Sequence, residues 1–289
     1  MKRALFLLLA AIATPVQGNG WRFRLDTQAL AISTPDSQSR EFTTDAGLLI
    51  SADYLDDLTL AAGLDRIRVQ WRGADASDYQ NGYFSGRWQR YPDLLPGRVT
   101  LRLDGWSMQS RTDGVTVGTG SAALAVVSFA EYAGRYGLEF GAAKSRYAGG
   151  LEVTQWSPAL GFKPFSRTDW LLLRGTIARY SEPDLVQEKS TRRALQARWT
   201  HYFEPGNTLA LQNLWIDLKS GERIYYIDPD AAAVANLPDL FRQGMSLGMQ
   251  WRLTSHWQLL LAGGSQRVLE DGAPEHETTF AYFDIVAHW

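Results

Sequence analysis

The 289-residue chain contains no cysteine. This excludes a cysteine-linked lipid anchor and a disulfide-stapled secreted scaffold. No stretch reaches the roughly 18 uninterrupted apolar residues that a membrane helix needs, so a membrane-embedded form of this chain would have to be built from strands. Lysine is scarce, since arginine supplies 24 of the 29 basic residues. The formal net charge of −2 argues against a nucleic-acid partner, which calls for a basic surface. Histidine is limited to His201, His256, His276 and His288. His276 between Glu275 and Glu277 falls short of the three or four defined groups of a metal site, so no metal and no cofactor are expected.

What is present begins with Lys2 and Arg3, followed by an apolar run from Ala4 to Ala13 and small residues up to Gly18. A positive start, a short apolar core and a cleavable end are the layout of a secretory signal peptide. The expectation is that residues 1–18 are removed after Gly18, with a cut after Ala13 as the alternative. Residues 19–289 then form a single domain with a net charge of about −4, from 27 basic and 31 acidic residues once Lys2 and Arg3 are gone.

Within that domain the apolar residues recur with period two, the mark of strands with one oily and one polar face. Trp21, Phe23 and Leu25 alternate with Arg22, Arg24 and Asp26; Leu48, Ile50 and Ala52 oppose Asp45, Ser51 and Asp53; Met245, Leu247, Met249 and Trp251 oppose Ser246, Gly248, Gln250 and Arg252. The third strand, 58–71, changes parity: Leu58, Leu60, Ala62 and Leu64 are followed by Ile67, Val69 and Trp71. One extra residue would flip every later side chain, so a bulge near Asp65 is expected, turning Arg66, Arg68 and Arg72 inward. Residues 73–82 read as a loop. Strand 115–128 has no clear face, and Pro158 predicts a bulge or an interruption in strand 151–162.

The closing stretch, Thr279 to Trp289, carries Ala281, Phe283, Ile285, Ala287 and Trp289 on one face and Tyr282, Asp284, Val286 and His288 on the other. A final strand ending on an aromatic resembles the closing strand of bacterial outer-membrane β-barrels, with Phe283, Ile285 and Trp289 as its assembly signal. That resemblance implies an all-β, transmembrane, antiparallel up-and-down β-barrel in the outer membrane, with lipids, lipopolysaccharide and the barrel assembly machinery as partners. About 14 strands are counted, with 12 to 16 possible, and short turns alternate with longer loops, as both termini on the periplasmic side require. Aromatics including Trp21, Tyr54, Trp170, Trp257 and Trp289 gather near the short-turn end, where amphipathic rings favour the lipid interface.

On this assignment the lumen receives Arg22, Arg24, Arg66, Arg68, Arg98, Arg102, Arg174, Arg198 and Arg252, with Asp26, Asp104 and Asp284 among their counter-charges. Asp284 is a candidate partner of Arg22 or Arg24 across the seam. Such a row either guides anionic solutes or locks onto wall carboxylates. The longest connection, 220–243, holds Tyr225, Tyr226, Asp228 and Asp230. Asp228 with Pro229 predicts a capped short helix, and the loop's apolar residues predict that it packs, either as a constriction in the mouth or as a lid on neighbouring loops.

The function expected is a passive channel for small polar or anionic solutes such as sugars or oligosaccharides. Two alternatives are a barrel serving polysaccharide export and a closed structural or adhesive barrel. An outer-membrane lipid hydrolase is disfavoured: neighbouring strand residues face opposite sides, which keeps Ser255 from His256, and no nucleophile, base and orienter share a plausible register.

Overall fold

Side chains of an extended strand alternate between its two faces, so a sheet with oil outside and polar groups inside closes most readily as a cylinder, which leaves no unpaired edge. The computed structural model describes residues 20–112, 115–207, 209–231, 233–235, 237, 239–270 and 274–289; the expected leader, residues 1–18, lies outside them. The strands are β1 (Trp21–Ser33), β2 (Arg40–Tyr54), β3 (Leu58–Trp71), β4 (Ser77–Arg90), β5 (Gly97–Thr112), β6 (Val115–Glu131), β7 (Tyr136–Arg146), β8 (Glu152–Phe162), β9 (Asp169–Tyr180), β10 (Thr191–Tyr202), β11 (Leu211–Arg223), β12 (Ile227–Asp228), β13 (Ala233–Val234), β14 (Leu240–Arg252), β15 (Trp257–Leu269) and β16 (His276–His288). All but β12 and β13 join in one closed antiparallel barrel of 14 strands, each paired with its neighbours in sequence, while β12 and β13 form a separate two-stranded ribbon.

The seam runs between β1 and β16, from Arg24 opposite His288 to Ser33 opposite Thr279. It ends in two backbone bonds, Phe23 N–H to the Trp289 carbonyl at 2.9 Å and Trp289 N–H to the Phe23 carbonyl at 3.1 Å. The Trp289 and Phe23 rings stack outside it, 6.3 Å between centroids. Gly20, Trp289 and the short turns share one end, called here the termini end. The turn after β2 places Leu55 and Asp56 at φ of 46° and 61° and closes with Asp57 N–H on the Tyr54 carbonyl at 2.9 Å. Two left-handed residues in succession match the twist of a two-residue hairpin.

Two expectations are corrected, and a third, the interruption at Pro158, is met. The β2–β3 register passes through Gly47/Asp65, Ala46/Arg66 and Asp45/Ile67 without a shift, so there is no bulge near Asp65. Arg66 and Arg68 therefore lie on the outer surface, and Ile67, Val69 and Trp71 point inward. Arg72 sits beyond the strand, donating to the Ser37 carbonyl at 3.0 Å. Strand β4 starts at Ser77, within the expected loop 73–82, because the barrel wall continues past the lipid and carries polar residues such as Asp78 and Gln80 outward. Pro158 interrupts the β8–β9 ladder without a bulge: Trp156/Ile177 and Ala159/Arg174 keep one register on either side of it.

The barrel has an apolar core inside its far end. Trp106, Met108, Leu124, Tyr147, Leu151, Val153, Tyr180 and Val186 form one buried cluster with Ile224, Ile227, Val234 and Leu240. The first eight belong to β5, β6, β8, β9 and adjoining turns, and the last four to the connection between β11 and β14 and its end. That connection is thus folded into the lumen against the β5–β9 wall.

Candidate functional site

The inserted connection is held at its base by apolar burial and at its tip by charge. Gln155, inward-facing on β8 and 2% exposed, donates to the Ile227 carbonyl at 2.7 Å and accepts from the Ile227 N–H at 3.0 Å. Tyr180 donates to the Ile224 carbonyl at 2.8 Å, and Tyr147 donates to the Ala235 carbonyl at 3.3 Å. These bonds satisfy backbone groups that would otherwise be buried without partners, which would cost about 1–3 kcal/mol each. At the loop's root, Arg40 clamps Asp239 through two hydrogen bonds of 2.7 and 3.0 Å. Tyr225 adopts a left-handed φ of 47°, a conformation uncommon for a bulky residue, and its ring lies 4.6 Å from that of Tyr147.

The tip is a hairpin and not a helix. Ile227 pairs with Val234 and Asp228 with Ala233. The Asp228 carboxylate accepts from the Asp230 and Ala231 N–H groups at 3.0 and 3.4 Å, the local bonding by which Asp builds a turn as readily as a helix cap. Its second oxygen receives Lys219 at 2.8 Å. Burial would push the Asp228 carboxyl up, but Lys219 and the nearby Arg198 and Arg174 hold it well below the usual carboxylate range. Asp230 pairs with Arg174 at 2.7 Å and Arg198 at 3.3 Å, and Arg102 donates to the Pro229 carbonyl at 2.7 Å. Arg174 is the sixth of the 12 residues of β9. The loop tip therefore reaches mid-barrel depth, pinned between β5 on one side and β9 and β10 on the other.

The inward arginines are matched by carboxylates almost one for one. Arg24 bonds Asp26 at 2.7 Å, Arg102 pairs with Asp104 at 2.9 Å, Arg174 donates to Glu139 at 2.6 Å, and Arg198 donates to Asp217 at 3.0 Å. Arg22 contacts Asp56 at the rim of the termini end. Arg98 and Arg252 have no carboxylate partner among the described residues. Asp284 is buried opposite Gln28, and Arg24 turns to Asp26, its own-strand neighbour, so the expected pairing of Asp284 with Arg22 or Arg24 is not formed. Sequence reading missed Arg40, Arg192, Asp217, Lys219 and Asp239 as inward charges; Arg40, Arg192, Asp217 and Asp239 are buried, and Arg40, Arg192 and Asp239 lie at strand ends or in a loop where alternation fades, whereas Asp217 and Lys219 are mid-strand on β11.

A cavity of about 530 Å³ opens at the termini end, lined by Tyr202, Gln212, Asn213, Gln250, Arg252 and Gln258 among others. Asn213 donates to Gln250 at 2.8 Å, and Gln250 donates to Gln258 at 2.8 Å, forming an amide ladder across β11, β14 and β15. Trp215 is accommodated above it by Gly248, where an added Cβ would lie 2.3 Å from the indole, and Arg198 covers the same ring at 5.0 Å. Trp170 likewise faces inward over Gly161, so it does not belong to the outer aromatic belt.

The histidines do not assemble a relay. Ser255 and His256 lie in a turn and not a strand, and there their side chains do meet at 2.8 Å, contrary to the alternation argument. On the outer face, Asp169 takes the His201 ring at 3.0 Å and Trp199 at 3.1 Å. Ser166 bonds the same carboxylate, an arrangement in which serine faces the acid and not the base.

No sequence family matches the chain, and no curated protein does. Solved structures do. A bacterial polysaccharide outer membrane secretin aligns with a TM-score of 0.53 at 11% identity, over 92% of this chain and 98% of the other. The Pseudomonas putida toluene transporter TodX aligns with a TM-score of 0.54 at 9% identity, over 97% and 92%. The fold is that of an outer-membrane β-barrel. A KdgM porin in complex with disordered oligogalacturonate aligns at 0.44 and 8% identity, over 91% and 98%, a likeness too distant to inform the reading of this lumen.

Proposed function

We propose that this protein is a passive outer-membrane channel for small polar solutes of sugar-like chemistry, with its longer loops outside and both termini in the periplasm. The observation that carries the reading is the amide ladder facing the cavity of about 530 Å³. Planar amides and a tyrosine hydroxyl offer both donors and acceptors, which suits hydroxyl-rich solutes, and a few placed polar groups in a pocket of this size suffice to orient a small ligand. Because most inward arginines are bonded to carboxylates, the lumen supports passage of neutral solutes with weak anion preference, carried by Arg98 and Arg252 near the termini end. Lipids surround the wall, and Phe283, Ile285 and Trp289 present the closing strand to the barrel assembly machinery.

The test is reconstitution. Proteoliposomes should swell in mono- and disaccharide solutions, and planar bilayers should show single-channel steps with a reversal potential slightly on the anion side. A silent barrel refutes the channel, and strong cation preference refutes the lumen assignment.

A further inference from the structure

The barrel's outer surface carries an unequal distribution of charge that the channel does not use. On β3, Arg66 and Arg68 point outward, exposed. Arg68 lies opposite Asp78 of β4, and Asp78 opposite Arg111 of β5, so three strands bring three guanidinium groups around one carboxylate. Arg66 takes that carboxylate at 2.8 Å. The pattern continues around the far end. Lys144 and Arg146 of β7, 63% and 67% exposed, share Glu152. Arg179 of β9 lies over the outward Trp156 at 5.4 Å, and Arg193 of β10 is exposed. At this end of β3–β10, Asp78 and Glu152 are the outward strand carboxylates among the described residues, Asp169 lying outward at the opposite end of β9.

Arg66, Arg179 and Arg193 sit at a polar–apolar boundary. Two residues from Arg66 is Leu64, 71% exposed; two from Arg179 is Ile177; two from Arg193 is Leu195, 69% exposed. Two residues of strand span roughly 7 Å, about the step from the head of a lipid to its first methylenes. On the opposite side the outward charges cancel: Arg242 bonds Glu275 at 2.7 Å, and Arg267 lies opposite Glu277.

We infer that the outer face of β3–β10 is a binding surface for the phosphate groups of lipopolysaccharide, with acyl chains lying on Leu64, Ile177 and Leu195. Arginine suits this role because its fork donates two parallel bonds to a phosphate. The surface is one-sided, so the lipid binds β3–β10 and leaves β14–β16 bare. The inference rests on the outer-membrane placement and orientation proposed above, and not on the channel reading.

The experiment uses purified full-length protein and three probes: lipopolysaccharide, the same material enzymatically dephosphorylated, and phosphatidylglycerol vesicles. Binding is compared for the wild type, R66Q/R68Q/R111Q and R66K/R68K/R111K, each first checked as a heat-modifiable folded barrel on a gel. The triple glutamine variant should bind lipopolysaccharide on the order of 100-fold more weakly, since each basic residue at an anionic lipid surface contributes about a factor of five. Dephosphorylation should weaken the wild type comparably, and the lysine variant should stay near wild type. Equal binding by the glutamine variant, or indifference to dephosphorylation, overturns the site. Phosphatidylglycerol binding as tight as lipopolysaccharide overturns the choice of ligand. Orientation is read separately by labelling Leu185→Cys and Leu94→Cys in intact cells with an impermeant reagent. Labelling at Leu94→Cys in place of Leu185→Cys overturns the placement, and the binding series still reports on the surface itself.

Discussion

Replacing Asp230 with asparagine should loosen the lumen without harming the barrel. Asp230 meets Arg174 at 2.7 Å and Arg198 at 3.3 Å, and the Arg174 side chain is 2% exposed. Removing one partner of a buried pair costs about 3–5 kcal/mol when the other charge is stranded. Here Arg174 keeps Glu139 and Arg198 keeps Asp217, and asparagine still accepts one bond, so the cost is nearer to about 2 kcal/mol. That lowers the ratio of docked to released tip roughly 30-fold. In planar bilayers Asp230→Asn should add noise and brief excursions to a larger conductance. Deleting residues 228–239 should make the larger level permanent. The wall should be untouched, so heat-modifiable migration and urea midpoint should match the wild type. Identical traces from the wild type, the point variant and the deletion would refute the role of the tip as a constriction.

Further outcomes follow from the same geometry. Asp228 is held below the ordinary carboxylate range, so its contribution to docking is complete above the unfolded value of about 4 and is lost only as pH falls through its own lower value. A cysteine placed at Ala231, unique in a chain without others, should show the same accessibility to an impermeant thiol reagent from pH 8 to 5 once its rate is divided by that of a free cysteine peptide at each pH, which removes the change in thiolate fraction, and greater accessibility only in stronger acid; a change in this ratio near pH 6.5 would contradict the assignment. Gly248→Val should cost about 1–3 kcal/mol because its Cβ meets Trp215 at 2.3 Å, while Gly105→Ala, with nothing within 4 Å, should be near neutral; urea unfolding in micelles compares them. Trp289→Ser should reduce outer-membrane yield by loss of the stack on Phe23 while leaving reversal potential unchanged, and normal yield would count against an assembly role.

The barrel itself was legible wherever lipid lies on one side of a strand and water on the other, as in β1, β2, β14 and β16. Legibility failed where that contrast disappears. In β6, Ala122, Leu124 and Val126 face the inserted loop while Ala123, Ala125 and Val127 face lipid, so both parities are apolar and no face stands out. The parity change in β3 reads as a bulge, yet it marks where the strand leaves the bilayer: outside faces turn polar, as Arg66 and Arg68 show, and the inside becomes packed, with Val69 fully buried. The insertion of the loop was foreshadowed by its apolar content. Its hairpin was not, because Asp228 followed by Pro229 is equally good chemistry for a helix start, and Lys219 and Arg102, which decide the matter, lie on strands remote in sequence or direction.

The connection between β11 and β14 is fastened in two ways that answer to different conditions. Its tip is held by ion pairs, which weaken with acid and, where water reaches them, with salt. Its base is held by Ile224, Ile227 and Val234 against an aromatic and aliphatic wall, an attachment that strengthens with excluded salts and weakens on cooling. The two can therefore be undone separately. Freeing the tip alone yields a partly open state with the far end still covered, whereas freeing the base would expose oil inside a water-filled tube. Conductance should accordingly come in graded substates reached from the ionic end, with complete withdrawal of the loop disfavoured at ordinary temperature.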